Sequence, residues 1–359
     1  MKTLTQRFLA FAAITGIGLF CYSTCVPAAE DCQPDGGLHY VCGLQNAEDI
    51  LPLGKTDWLI TSGMDGSFSN TDIRGHIYLV NHRNRTSEVF FPGARPVFKQ
   101  DQTLFAACPG PLNPEKFSSH GLALREQAGG RYRLYMTSHG EREAIEVFDI
   151  DAGGKHPAIT WVGCVPLPDK TWANSIVILG DGGFITTNFM DPTVPNAFAE
   201  VQQGKLTGYV YEWHPGGAVT KVPGTEASAP NGVALSADER WLYVNAFGTR
   251  EVIRYDRRAH PVTKQTIPVS VAPDNIRWGE DGRLYVVGMN YVDPASCANP
   301  PCSTGWSVFS IDPQTLSAQR VAGADAKAAL QGASAAVSIG NEIWIGTYNG
   351  DRIGYLPRQ

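Results

Sequence analysis

The feature that most restricts this chain is a weak internal repeat of short β-rich runs. One copy reads Asn231-Gly-Val-Ala-Leu-Ser, a polar turn, Trp241-Leu-Tyr-Val, a second turn and Glu251-Val-Ile-Arg-Tyr-Asp256. Runs rich in β-branched and aromatic residues, bounded by Gly, Pro, Asp or Asn, read as strand, hairpin and strand. The same order recurs in His120-Gly-Leu-Ala-Leu, Arg133-Leu-Tyr-Met and Ala144-Ile-Glu-Val-Phe-Asp149. Further copies begin at Glu48, Asn174, Asp274 and Ser334. One three-stranded unit cannot bury both faces of its sheet, whereas six stacked around an axis can. The expected fold is therefore all-β: a six-bladed β-propeller whose first and last copies meet to close the ring. A large β-sandwich is the alternative, and there six matched units would be coincidence. Few helical patterns interrupt the repeat, and only residues 325–331 read as briefly helical.

Composition narrows the class. With 43% hydrophobic and 18% charged residues the chain is too apolar for disorder. Basic residues number 29 against 35 acidic ones, a net charge of −6, with no basic stripe to grip a phosphate backbone. No nucleic-acid partner is expected.

The first 29 residues read as a signal peptide, leaving a single propeller domain over residues 30–359. Lys2 and Arg7 precede an uncharged, mostly apolar run over residues 8–20, and small residues at Ala28 and Ala29 follow. That run is shorter than the ~18 residues of a membrane span, so no stable span is expected once the leader is removed. The expected location is periplasmic or secreted. Six cysteines remain beyond the leader: Cys32, Cys42, Cys108, Cys164, Cys297 and Cys302. An even number in an exported chain suggests disulfides. Cys297–Cys302 could close a short loop and Cys32–Cys42 could brace the mature N-terminus, which leaves Cys108–Cys164.

The innermost strand of a propeller blade runs beside the central channel. The six copies open on Glu48/Asp49, His120, Asn174, Asn231, Asp274/Asn275 and Ser334, so polar groups stand at one level at one channel mouth. Asn-Gly and Asp-Asn are common turn dipeptides, and any one of them alone means little. Recurrence at the same repeat position changes the weighing. Glu48, Asn174, Asn231, Asp274 and Asn275 offer oxygen ligands only. Two carboxylates balance a divalent charge and three amides add neutral donors, a set that suits Ca²⁺ better than Zn²⁺. A purely structural ion in the channel is the bland alternative. His120 and His139 fall on adjacent strands of one blade, where the rings could meet, and imidazole is the usual carrier of protons near neutral pH.

These residues resemble the paraoxonase/arylesterase-like family, within the senescence-marker-protein/gluconolactonase-like six-bladed propellers. The resemblance runs from about Glu48 to Leu356. It is carried by Ala47-Glu-Asp-Ile-Leu-Pro, Phe117-Ser-Ser-His-Gly-Leu, Leu134-Tyr-Met-Thr-Ser-His139, Asn174-Ser-Ile-Val, Pro230-Asn-Gly-Val, Asp274-Asn-Ile and Leu330-Gln-Gly-Ala-Ser. It implies a catalytic Ca²⁺ on the five residues above and a His120–His139 dyad acting on lactones and esters. It also implies a second, structural Ca²⁺ on Asp49, the Leu122 carbonyl and a carboxylate. That last position is Ser175 here, a departure from the family's ligand set. The animal relatives tether their two terminal regions by a disulfide. This chain has no cysteine after Cys302, so ring closure is expected from strand pairing or another bridge.

The leading expectation is thus a calcium-dependent hydrolase of lactones or aryl esters, with a small-molecule substrate. The ion would polarise the carbonyl, His120 would deprotonate water and His139 would relay the proton. No Gly-x-Ser-x-Gly elbow is present, which argues against an acyl-serine route. Two longer segments, residues 189–207 and 291–305, interrupt their blades after the middle strand. Phe189, Phe198 and Tyr291 there suit an apolar acyl or aryl group, or serve packing alone. The competing readings are a sugar lactonase with a polar substrate, and a non-catalytic extracellular binding propeller that holds calcium for stability.

Overall fold

The computed structural model describes residues 32–64, 74–290 and 304–358. The leader, Tyr291, Cys297 and Cys302 lie outside the described residues. The described chain forms six four-stranded antiparallel sheets arranged as a six-bladed propeller. Strand β1 (His39–Cys42) precedes the first blade. That blade contains β2 (Ile50–Pro52), β3 (Trp58–Gly63), β4 (His76–Asn81) and β5 (Thr86–Phe91). The second contains β6 (Phe117–Gln127), β7 (Arg131–Gly140), β8 (Ala144–Asp151) and β9 (Ala158–Pro166). The third contains β10 (Ala173–Ile178), β11 (Phe184–Asn188), β12 (Tyr209–Trp213) and β13 (Thr220–Lys221). Helix α1 (Ala197–Gln202) lies between β11 and β12. The fourth blade is β14 (Pro230–Leu235), β15 (Trp241–Ala246), β16 (Glu251–Asp256) and β17 (Thr263–Pro268). The fifth is β18 (Val271–Trp278), β19 (Leu284–Asn290), β20 (Trp306–Ile311) and β21 (Ala318–Ala324). The sixth joins β22 (Ala333–Ile339), β23 (Glu342–Thr347) and β24 (Arg352–Pro357) to β1.

Strand pairing therefore closes the ring. His39 to Cys42 pair with Tyr355 to Arg352 in antiparallel register. A second clamp joins the first blade to the sixth: both terminal nitrogens of Arg85 donate to the Glu342 carboxylate, at 3.0 and 2.7 Å. The same guanidinium lies over the Trp344 and Tyr355 rings, a placement that favours Arg over Lys.

Each blade carries an outer fourth strand that the sequence repeat does not display. Most of these strands are short or solvent-facing: both residues of β13 are exposed and only Ile267 of β17 is buried, whereas β9 buries Trp161 to Val165. An outer strand has one side in water and so needs no apolar alternation. Residues 325–331 form turns rather than a helix. The Asp325 carboxylate accepts the Lys327 N–H, and the Gln331 side-chain amide donates to the Ala326 and Ala328 carbonyls, so local side-chain bonds replace a helical ladder.

Five of the six inner strands break register at the same level. The shifts lie between Ser119 and Leu122, Ala173 and Ile176, Pro230 and Val233, Pro273 and Ile276, and Ala333 and Ala336. A bulge leaves its residues out of the ladder and re-aims their side chains. Here the displaced pairs include His120-Gly121, Asn174-Ser175, Asn231-Gly232 and Asp274-Asn275. Beyond the bulges the same strands turn apolar, and Leu122, Ile176, Val233 and Ile276 line the opposite channel mouth.

Close approach of neighbouring inner strands requires glycine at Gly121. A Cβ there would lie 2.2 Å from the Asn174 carbonyl oxygen, which is backbone and cannot swing aside. Gly121→Ala is expected to cost about 1–3 kcal/mol or more, the usual scale of overpacking, and to be read by chemical denaturation. An unchanged midpoint would show that the two strands can separate freely.

Two disulfides form, Cys32–Cys42 and Cys108–Cys164. The first ties the segment before β1 to the closing strand, and the second pins the excursion between β5 and β6 onto β9. Both pairings were among those expected. No helix among the described residues is long and apolar enough to cross a membrane.

Candidate active site

The bulged residues meet at one end of the channel. Glu48, His120, Asn174, Asn231 and Asp274 line a cavity of about 110 Å³. Asn275 lies behind them and donates from Nδ2 to Glu48 Oε1 at 2.6 Å. All six are buried. Four oxygens of this cluster have no hydrogen-bond partner among the described residues: Glu48 Oε2, Asn174 Oδ1, Asn231 Oδ1 and Asn275 Oδ1. An unsatisfied buried acceptor costs about 1–3 kcal/mol, so four together form a set lacking its common donor.

The charges reinforce that need. Burial, followed by the nearby Asp274 and Asp49, pushes the Glu48 carboxyl well above the usual range. Burial pushes Asp274 up to about 8, although a hydrogen bond from Asn231 pulls the other way. Two carboxylates in a dry site resist ionisation unless a cation joins them. Among the described residues no three His, Cys, Asp or Glu side chains gather as metal ligands. Any ion here would rest on two carboxylates and three amides, and orphaned oxygens with no nitrogen or sulfur donor fit a hard cation such as Ca²⁺.

Beside this cluster stand the two histidines. His120 Nδ1 and His139 Nε2 are 2.8 Å apart, and His139 Nδ1 lies 2.9 Å from Glu143 Oε2. An ionised carboxylate only accepts, so His139 carries its proton on Nδ1 and presents a lone pair at Nε2. His120 then donates from Nδ1, and its own lone pair sits on Nε2. That nitrogen faces the polar cluster, 3.5 Å from Asn174 Nδ2 and 3.7 Å from Glu48 Oε1. Burial first, and the neighbouring His139 second, hold His120 well below the ordinary imidazole range. The arrangement thus offers a neutral imidazole whose basic nitrogen is aimed into the cavity.

Glu143 escapes sequence reading. It sits four residues past His139, beyond the turn that ends β7, and nothing local distinguishes it from Glu141. Only its second contact shows its placement: Oε1 accepts the Ala173 N–H at 2.6 Å, anchoring it to the strand that carries Asn174.

The remaining walls are apolar. Trp172, Phe189, Phe198 and Phe247 form a run of ring contacts, with Phe189 centred 5.8 Å from Phe198 and 5.9 Å from Phe247. Met64, Met289 and Tyr348 complete the lining. Phe189 and Phe198 were expected at this mouth, and α1 is what carries Phe198 there. Trp172 was missed: it precedes β10, outside the strand's alternation, and only its ring contacts with Phe189 and Phe198 mark it.

Asp49 and Leu122 lead elsewhere. Asp49 Oδ1 accepts the Ile50 N–H and Oδ2 accepts the Leu122 N–H, at 2.9 and 2.8 Å. The Arg277 guanidinium also donates to Oδ2, and the same nitrogen donates to the Leu122 carbonyl at 3.1 Å. Unlike Glu48, this carboxylate has no orphaned oxygen, and with Ser175 at the position of the family's further carboxylate there is one carboxylate where a divalent ion needs more. These residues do not fit a second calcium.

Comparison with known proteins agrees with the architecture. The structure is similar to a gluconolactonase of Xanthomonas campestris, at a TM-score of 0.55 and 18% identity over 90% of this chain and 89% of that one. It is also similar to a putative gluconolactonase, at a TM-score of 0.53 and 13% identity over 92% and 94% of the two chains. A calcium-binding protein, regucalcin, of Agrobacterium tumefaciens matches at a TM-score of 0.52 and 11% identity over 89% and 93%. At such identities the likeness shows the fold alone. No curated protein matches the chain in sequence. Residues 49–352, which span all six inner strands' polar level from Asp49 onward, match the family described as Arylesterase, and the chain belongs to that family.

Proposed function

We propose that this protein hydrolyses aryl esters or lactones bearing an apolar group, with a calcium ion on Glu48, Asn174, Asn231, Asp274 and Asn275. The observation that carries the reading is the juxtaposition of the basic nitrogen of His120 with four orphaned oxygens, three of them on residues that line the same apolar-walled cavity and the fourth on Asn275 behind them. When bound, such an ion polarises an ester carbonyl and stabilises the charge that develops on its oxygen.

The chain's own residues supply the rest. His120 Nε2 takes a proton from water. Its Nδ1 proton is passed to His139 Nε2, and Glu143 holds His139 in the tautomer that can accept it. Trp172, Phe189 and Phe247 receive the acyl or aryl group and exclude bulk water. Apolar walls of this kind offer few partners to the hydroxyls of a sugar lactone, so they favour the aryl or alkyl substrate over the polyol. The two disulfides support a location outside the reducing cytosol.

The test is turnover of an aryl acetate, a medium-chain lactone and a sugar lactone, each with and without chelator. Chelation is expected to abolish hydrolysis and Ca²⁺ to restore it better than Mg²⁺, since five protein oxygens suit the larger ion. The aryl and medium-chain substrates are expected to exceed the sugar lactone in kcat/KM. Full activity in excess chelator, with no ion found by metal analysis, sinks the proposal.

A further inference from the structure

We propose that Arg277 is a built-in cation of the channel: its guanidinium neutralises the buried Asp49 carboxylate and takes the place at which a second metal ion would otherwise be needed. Asp49 is fully buried and Arg277 is 8% exposed. The two come from the first and fifth blades, 228 residues apart in sequence. One guanidinium nitrogen serves both the Asp49 carboxylate and the Leu122 carbonyl, so a single positive centre joins an anionic and a neutral oxygen as a metal would. Its other terminal nitrogen donates to the Ile276 carbonyl at 3.1 Å.

Charge balance favours the guanidinium. Asp49 contributes one negative charge, and Ser175, on the adjacent inner strand, contributes none. A divalent ion in that place would leave a net positive charge in a dry channel, whereas Arg277 leaves zero. Arg277 also links the first, second and fifth blades at the level just below the bulges, so it fixes the strands that carry Glu48, His120 and Asp274. The inference does not depend on which ester the protein cleaves, nor on whether the upper cluster holds an ion.

A double-mutant cycle tests it. Asp49→Asn and Arg277→Met each strand a partner in a buried site, and each is expected to lower the folding equilibrium constant by about 10²- to 10³-fold. The combined variant, with neither charge, is expected to lose far less than the product of the two. Additive losses, as expected if Arg277 only fills space, overturn the inference. If Arg277→Met does not fold, Arg277→Lys against Arg277→Gln serves instead: the charged variant keeps the greater stability, and equal losses overturn the inference. Metal analysis of the wild-type chain is the independent readout. A second tightly held equivalent of Ca²⁺ overturns the inference. One equivalent or none supports it, and none counts against the catalytic-ion proposal alone.

Discussion

His120→Gln is expected to reduce ester or lactone turnover by ~10²-fold or more while leaving the fold and the calcium affinity intact. Gln keeps a side chain of similar reach but has no basic nitrogen. His120 donates no oxygen to the polar cluster, so the ion's ligands are untouched. The lone pair at His120 Nε2 is the one the tautomer chain from Glu143 leaves facing the cavity. His139→Gln is expected to fall less, because water can replace a relay in part. Glu143→Gln is expected to lower turnover chiefly by removing the acceptor that orients His139, with the Ala173 contact still available to its amide oxygen. Turnover and melting temperature measured together decide the matter. If His120 only packs the channel wall, His120→Gln loses stability with little change in rate per folded molecule. A stable, calcium-loaded variant with near wild-type turnover moves the base role to Glu48 or Asp274.

Asp274→Asn is expected to weaken calcium binding by at least ~10²-fold, since even the loss of a residue that merely orients a ligand costs 10–100-fold. The same change is expected to stabilise the calcium-free chain at alkaline pH. Asp274 is raised to about 8 by burial, far above its unfolded value. The folded, calcium-free chain therefore holds this proton more tightly than the unfolded chain does. Its contribution to stability is complete below the unfolded pKa and is lost as pH rises through about 8. Asn cannot ionise, so the variant escapes that loss. Bound calcium reverses the preference, and the wild type then gains most from Ca²⁺ at high pH. Melting temperature against pH, with chelator and with Ca²⁺, checks both halves. A calcium-free Asp274→Asn chain that weakens with rising pH as steeply as wild type removes Asp274 as the source of the slope.

The blade number and the level of the candidate site are legible in the sequence for one reason: both repeat. Inner and middle strands are buried on two sides, so each copy must spell out its own apolar run, and Asn174, Asn231 and Asp274 recur at the head of those runs. The donor chemistry is equally local, because a side chain's oxygens are given by its identity. What lacks a local imprint is whatever depends on a distant partner. The outer strands need only an edge to pair with, and β1 finds it in β24 across the whole length of the domain. The bulges arise where neighbouring inner strands crowd, at Gly121 against Asn174. Glu143 differs from Glu141 only by the strand it meets. Arg277 reads as an ordinary strand residue until the ring closes and brings Asp49 to it. Sequence determined the repeating units and the chemistry of the groups at their heads. Tertiary structure decided which of those groups keep a free oxygen and which are neutralised, because that balance is struck between blades and not within one.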